Sequence, residues 1–239
     1  MGGYMISLLH NCDFDESYYA YYPDQEIYEP GGLISSLYIG GQMDGYNRHG
    51  KLFVLSGPSG VGKTTLAGIL FTRLAKSHNL FRVITYTTKA PRVGEQNGVD
   101  YYFITVLEFK AKLLSGFFIE YSCVYGNYYG SPRSILLELT KGRSFLLVVD
   151  QVGACAIKQQ YSQAVLIWLT PPSTSELAAR LINRATDSNE EVTKRLAIAV
   201  NELKSKQVNQ QFDYVVQNHV LMQAANQLSI ILKAEIGFR

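Results

Sequence analysis

The chain has 239 residues, enough for one large domain or two small ones. Hydrophobic residues make up 47% and charged residues 18%, a balance that excludes wholesale disorder. No apolar run approaches the roughly 20 residues of a bilayer-crossing helix, and Cys12, Cys123 and Cys155 lack metal-ligand spacing, which argues against a zinc module or disulfide scaffold and for a reducing compartment. The N-terminus has neither a basic segment nor a long apolar one, so no signal peptide is expected. Ile6 stands where a myristoylation motif wants Ser or Thr. The net charge of +2 hides an asymmetry: residues 1–47 carry −7 and no Lys or Arg, and residues 48–239 carry +9. A basic body suits an anionic ligand, such as a nucleotide, a nucleic acid or a membrane surface, or is simply a solvated surface.

In chain order, residues 1–50 hold eight of the 17 tyrosines, broken by Gly31-Gly32 and Gly40-Gly41. They read as an acidic extension, either disordered or packed on the core. From Lys51 the pattern becomes regular. Leu52–Leu55 predicts a buried strand, Gly57–Gly62 a glycine-rich turn, and Lys63 to about Lys76 a helix through Leu66, Ile69, Leu70 and Leu74. Further strands are expected at Phe81–Thr85, Phe145–Val149, Ala164–Leu169 and Tyr214–Val216. Helices are expected at Ser173–Asn183, Glu190–Gln207 and Leu221–Glu235. Continuous apolar strands alternating with amphipathic helices predict an α/β fold, with a parallel sheet covered on both faces. The stretch from Thr85 to about Ser134, rich in Tyr, Gly and Thr, breaks that rhythm and reads as a mixed insertion.

Gly57-Pro58-Ser59-Gly60-Val61-Gly62-Lys63-Thr64 matches G-x-x-x-x-G-K-[ST] between a strand and a helix. Glycines let backbone N–H groups converge on a phosphate, and the following helix aims its positive end at the same anion. Lys63 would reach the outer phosphates and Thr64 would ligate Mg²⁺. Asp150, ending a buried strand, is placed to hold the metal or its waters and to cap the next helix, two compatible roles.

Further segments extend the pattern. Thr85-Tyr86-Thr87-Thr88-Lys89-Ala90-Pro91-Arg92-Val93-Gly94-Glu95 leads into Asn97-Gly98-Val99-Asp100-Tyr101-Tyr102-Phe103. Phe118-Ile119-Glu120 precedes Gly126-Asn127-Tyr128-Tyr129-Gly130-Ser131. Pro171-Pro172 is followed by Arg180, Arg184 and Lys194-Arg195. From Lys51 to about Glu235 the chain resembles the guanylate kinases, which transfer a phosphoryl group from ATP to GMP. The resemblance implies a three-layer P-loop kinase core over 51–84 and 135–239, a small α+β GMP-binding domain inserted at 85–134, and a helical lid at about 184–195.

It also implies roles. ATP would sit on Gly57 to Thr64, Thr65 and Asn218, with Mg²⁺ at Thr64 and Asp150. GMP would be gripped by Thr85, Lys89, Arg92, Glu95, Tyr101 and Tyr129, and its base read by Glu120 and Ser131. Lys63, Arg180, Arg184 and Arg195 would neutralise the moving phosphoryl. Alone, the tyrosines read equally as packing residues, Glu120 as a surface charge, and Arg180 with Arg184 as a solvated i,i+4 pair. Three positions depart from the family pattern: Lys89 replaces an arginine, Val148 replaces an aspartate, and Asn218-His219-Val220 replaces Asn-Asp-Asp. The partners expected are small nucleotides, with no nucleic acid and no membrane, in the cytoplasm; oligomeric state is not legible. Three other readings remain: a P-loop kinase for another phosphorylated acceptor, a non-catalytic guanylate-kinase-like module binding phosphopeptides, and a nucleic-acid binder.

Overall fold

A computed structural model of the chain describes residues 49–124, 126–182, 196, 199, 203 and 211–237. Residues 1–48, most of the helix expected at Glu190–Gln207, the lid at 184–195, and with it Arg184, Lys194 and Arg195, lie outside the described residues. Among the described residues, Thr85–Arg133 form one compact unit. The segments up to Ile84 and from Ser134 onward form another.

The larger unit is built on β1 (Leu52–Ser56), whose five residues are all buried. It lies at the centre of a five-stranded sheet with β2 (Leu80–Arg82), β7 (Ser144–Val148), β8 (Val165–Thr170) and β9 (Tyr214–Gln217), in the order β2-β7-β1-β8-β9. Every pairing is parallel. A parallel sheet needs both faces covered, which is why β1 reads as an unbroken apolar run. Its alternate residues Phe53 and Leu55 join one cluster with α1 (Lys63–His78) and α6 (Leu221–Ile236). Helix α1 offers Leu66, Ala67, Leu70 and Leu74, and α6 offers Ala224, Ala225, Leu228 and Leu232, each a helical stripe. The small alanines let α6 lie close to its neighbours. Helix α3 (Ile135–Thr140) packs on β7 and α4 (Gln151–Gln160) on β1. Helix α5 (Thr174–Ile182) buries Leu177 and Leu181.

The smaller unit is a four-stranded sheet of order β4-β3-β6-β5, from β3 (Tyr86–Thr87), β4 (Tyr102–Phe103), β5 (Phe118–Val124) and β6 (Asn127–Pro132). Helix α2 (Val106–Leu114) opens with a capping box between Thr105 and Glu108. Its fully buried Phe109 stacks on Phe118 at 4.6 Å and on Tyr128 at 5.2 Å between ring centroids. Gly130 has to be glycine, because a Cβ there would sit 2.8 Å from Phe118 Cδ1 and 3.0 Å from Phe109 Cζ.

One expectation shifts. The strand expected at Phe81–Thr85 pairs with β7 only over Leu80–Arg82. The chain leaves this sheet after Val83, whose N–H makes a last bond to the Leu146 carbonyl. Cys155 is a free thiol. Among the described residues, no helix is long and apolar enough to cross a membrane.

Candidate active site

The half of the candidate residues that lies in the larger unit gathers at the carboxyl end of β1. Gly57, Gly60 and Gly62 adopt φ of 147°, 83° and 100°, a region that side chains disfavour. Space enforces the same choice, since a Cβ on Gly57 would lie 2.4 Å from the Leu169 carbonyl oxygen. Pro58 and Val61 are buried, Ser59 and Gly60 half-buried. Gly62 starts α1 without a side-chain cap, and the first turn holds no acidic residue. The opening N–H groups of a helix have no intrahelical partners, so here they offer an anion a site uncontested by carboxylates. Thr64 and Thr65 stand exposed in that turn. Lys63 Nζ donates to the carbonyls of Gly57 at 2.5 Å and Pro58 at 3.1 Å, which holds the loop around its ammonium.

Neighbouring elements bring further predicted residues to this half. Strand β7 pairs with β1 as far as Leu55 and Val148, so Asp150 follows beside the loop. Asp150 Oδ1 accepts the Gly153 N–H at 2.8 Å and caps α4. Val148 is an apolar residue packed against the core. Burial, with the Asp150 carboxylate close by, pushes the Cys155 thiol up, which leaves it a poor nucleophile. Asn218 is buried after β9, and its Nδ2 donates to the Val61 carbonyl at 2.7 Å. Arg180 on α5 donates to the Asn218 carbonyl at 3.1 Å and pairs with Glu176 at 3.5 Å. His219 Nδ1 lies 3.8 Å from the same carboxylate. Sequence reasoning missed Glu176, although its i,i+4 spacing to Arg180 was a usable signal.

The other half of the candidate residues belongs to the smaller unit. Strand β5 carries a bulge: Phe118 pairs with Pro132, and Glu120 with Ser131, so two steps on β5 match one on β6. The extra residue, Ile119, re-aims Glu120 inward, and Glu120 is 3% exposed. Buried Ser131 donates from Oγ to Glu120 Oε1 at 2.5 Å. An ionised carboxylate is acceptor-only, so this pair presents an acceptor beside a hydroxyl.

A second cluster in the same unit gathers Lys89, Arg92, Glu95, Tyr101 and Tyr129. The Lys89 ammonium contacts Glu95 Oε2 and lies 4.9 Å from the centroid of the Tyr101 ring and 5.4 Å from that of Phe103. The Arg92 N–H donates to the same Glu95 oxygen at 2.7 Å. Burial acts to raise the Glu95 carboxyl, but the Arg92 N–H and the charges of Lys89 and Arg92 outweigh it and hold it below the ordinary carboxylate range. Tyr101 meets Tyr129 edge-on at 6.1 Å, and Thr85 is buried at the start of the unit. The substituted Lys89 thus has a built-in counter-ion, and Arg92 is the exposed cation.

Known proteins carry the same pattern. The family profile described as Guanylate kinase matches residues 49–235. The guanylate kinase of Protochlamydia amoebophila is 42% identical over 194 residues, covering 81% of this chain and 95% of that protein. That of Symbiobacterium thermophilum is 40% identical over 187 residues, covering 78% and 86%. The crystal structure of guanylate kinase from Anaplasma phagocytophilum superimposes with a TM-score of 0.66 at 34% identity, covering 80% of this chain and 89% of that one. With a profile spanning most of its length and relatives at this identity, the chain belongs to the guanylate kinase family.

Proposed function

We propose that the protein transfers the γ-phosphoryl group of ATP to GMP, and to dGMP, giving ADP and the nucleoside diphosphate. The observation that carries this reading is the buried Glu120–Ser131 pair, in a chain whose phosphate loop is intact. Guanine offers an N1–H, an N2 amine and an O6 acceptor. Glu120 would accept the two donors, and Ser131 would donate to O6. Adenine has an acceptor at N1 and would leave the buried carboxylate unpaired, a mismatch that discriminates strongly.

The other roles follow from chemistry. Arg92, with Tyr101 and Tyr129, would hold the GMP phosphate, and Thr85 and the Lys89–Glu95 pair would support that cluster. Glycines 57, 60 and 62 would turn N–H groups onto the ATP phosphates. Lys63 would exchange its loop carbonyls for phosphate oxygens and draw charge off the moving group. Arg180, with Arg184 and Arg195, would stabilise the same charge. Among the described residues no group of three metal-binding side chains occurs. Mg²⁺ keeps several of its waters and binds mostly through nucleotide phosphates. Thr64 and, through water, Asp150 would be its protein partners; when bound, the ion neutralises charge on the phosphates.

Two anionic nucleotides also account for the +9 body without a nucleic acid. A cytoplasmic enzyme has to work in a reducing medium, so turnover should be unchanged in reducing buffer; loss of activity there would reject that location. The test of the substrate is ADP release with GMP, dGMP, AMP, CMP and UMP. GMP and dGMP should be used, with AMP weaker by at least about 10²-fold. Comparable turnover of AMP would reject the guanine assignment.

A further inference from the structure

Asn218 commits three of its polar groups to three different elements of the larger unit. Its N–H donates to the Thr170 carbonyl at 2.8 Å, at the end of β8. Its carbonyl accepts from Arg180 Nη2 at 3.1 Å, on α5. Its side-chain Nδ2 donates to the Val61 carbonyl at 2.7 Å, inside the phosphate loop. A Cβ on Gly62 would lie only 2.6 Å from that same nitrogen, so the amide rests directly against the last glycine of the loop. The residue is 4% exposed.

This arrangement has a mechanical consequence. The Val61 carbonyl and the Gly62 N–H share one planar trans peptide unit and point in opposite directions. Holding the carbonyl toward Asn218 therefore turns the N–H away from it. Convergent N–H groups are what a glycine-rich loop offers to phosphate. Of the two N–H bonds of that amide, one is already given to Val61.

We propose that Asn218 is a positioning residue that locks the phosphate loop and Arg180 to one another. It acts on the donor nucleotide through the triphosphate and not through the base. The part of this that concerns Arg180 rests on the kinase reading, whereas the loop clamp can be measured without turnover.

The test is Asn218→Leu, which keeps a similar volume, removes the donor and adds no charge. Binding of ATP, CTP and inorganic tripolyphosphate, each with Mg²⁺, is measured by calorimetry beside binding of GMP. All three polyphosphates should weaken by a common factor of about 10- to 100-fold, while GMP affinity is kept. In the GMP kinase assay kcat should fall as well, with the KM for GMP little changed. A loss confined to ATP, with CTP and tripolyphosphate unaffected, would make Asn218 a base contact and overturn the proposal. Unchanged binding of all three would overturn it too. If the leucine variant does not fold, Asn218→Ser is smaller, cannot span to Val61 and should show the same uniform loss. Wild-type protein that binds tripolyphosphate but does not phosphorylate GMP would reject the kinase reading and leave the clamp measurable.

Discussion

Replacing Glu120 with glutamine exchanges one carboxylate oxygen for an amide nitrogen and leaves the shape of the side chain intact. The site is 3% exposed, and Ser131 Oγ already occupies Oε1 at 2.5 Å. With GMP bound, the Ser131 hydroxyl turns to O6 and both Glu120 oxygens face guanine donors, so in the variant the amide NH₂ meets one guanine N–H donor to donor. The variant loses one hydrogen bond to a charged group and leaves a buried donor unpaired, together about 3 kcal/mol or more. That corresponds to about 10²-fold in kcat/KM for GMP. The residues proposed to bind ATP lie in the other unit, so ATP should keep its affinity. The neutral amide removes a buried charge, so thermal stability should hold or rise. Initial rates of ADP release against GMP, calorimetry with ATP and a thermal melt together separate these effects. A kcat/KM for GMP within about threefold of wild type would remove Glu120 from base reading. A collapse of Tm with proportionate loss of ATP binding would show a purely structural role.

Three further outcomes are expected. Lys63→Ala removes the ammonium that holds the Gly57 and Pro58 carbonyls, and kcat should fall by about 10²- to 10³-fold; near-normal turnover would show that the lysine has no part in the transfer. Because the folded Glu95 carboxyl is lowered, its contribution to stability is present above the ordinary value of about 4.3 and is lost as pH falls through the lowered one. Urea unfolding of wild type and Glu95→Gln should therefore differ at neutral pH and converge in acid, whereas a constant difference would show that Glu95 stabilises through something other than its charge. Phe109→Ala empties the stack between Phe118 and Tyr128 and should cost about 3–5 kcal/mol, read by denaturant titration; a cost below about 1 kcal/mol would mean the small unit is not built on that ring.

The parts of the fold that were legible are those set by neighbours in sequence. Leu52–Leu55, the glycine spacing and the stripe from Leu66 to Leu74 sit side by side, so strand, loop and helix could be read directly. Strand β2 was misjudged because its end depends on where the chain leaves the sheet, not on the residues themselves. Helix α3 is six residues long, too short to show a period. Glu120 could be named only through the family resemblance, because a bulge, and not simple alternation, turns it inward. The Lys89–Glu95 pairing was not read, although both residues were named as candidates. The clamp from Asn218 to Val61 spans 157 positions, and no local pattern encodes a contact of that range.

The central claim is tested most directly by product stoichiometry. Purified protein incubated with Mg²⁺, ATP labelled at the γ-phosphate, and GMP should form ADP and GDP in equal amounts, with the label recovered in the β-phosphate of GDP and none in inorganic phosphate. Label appearing as free phosphate, or ADP forming at the same rate without GMP, would contradict it.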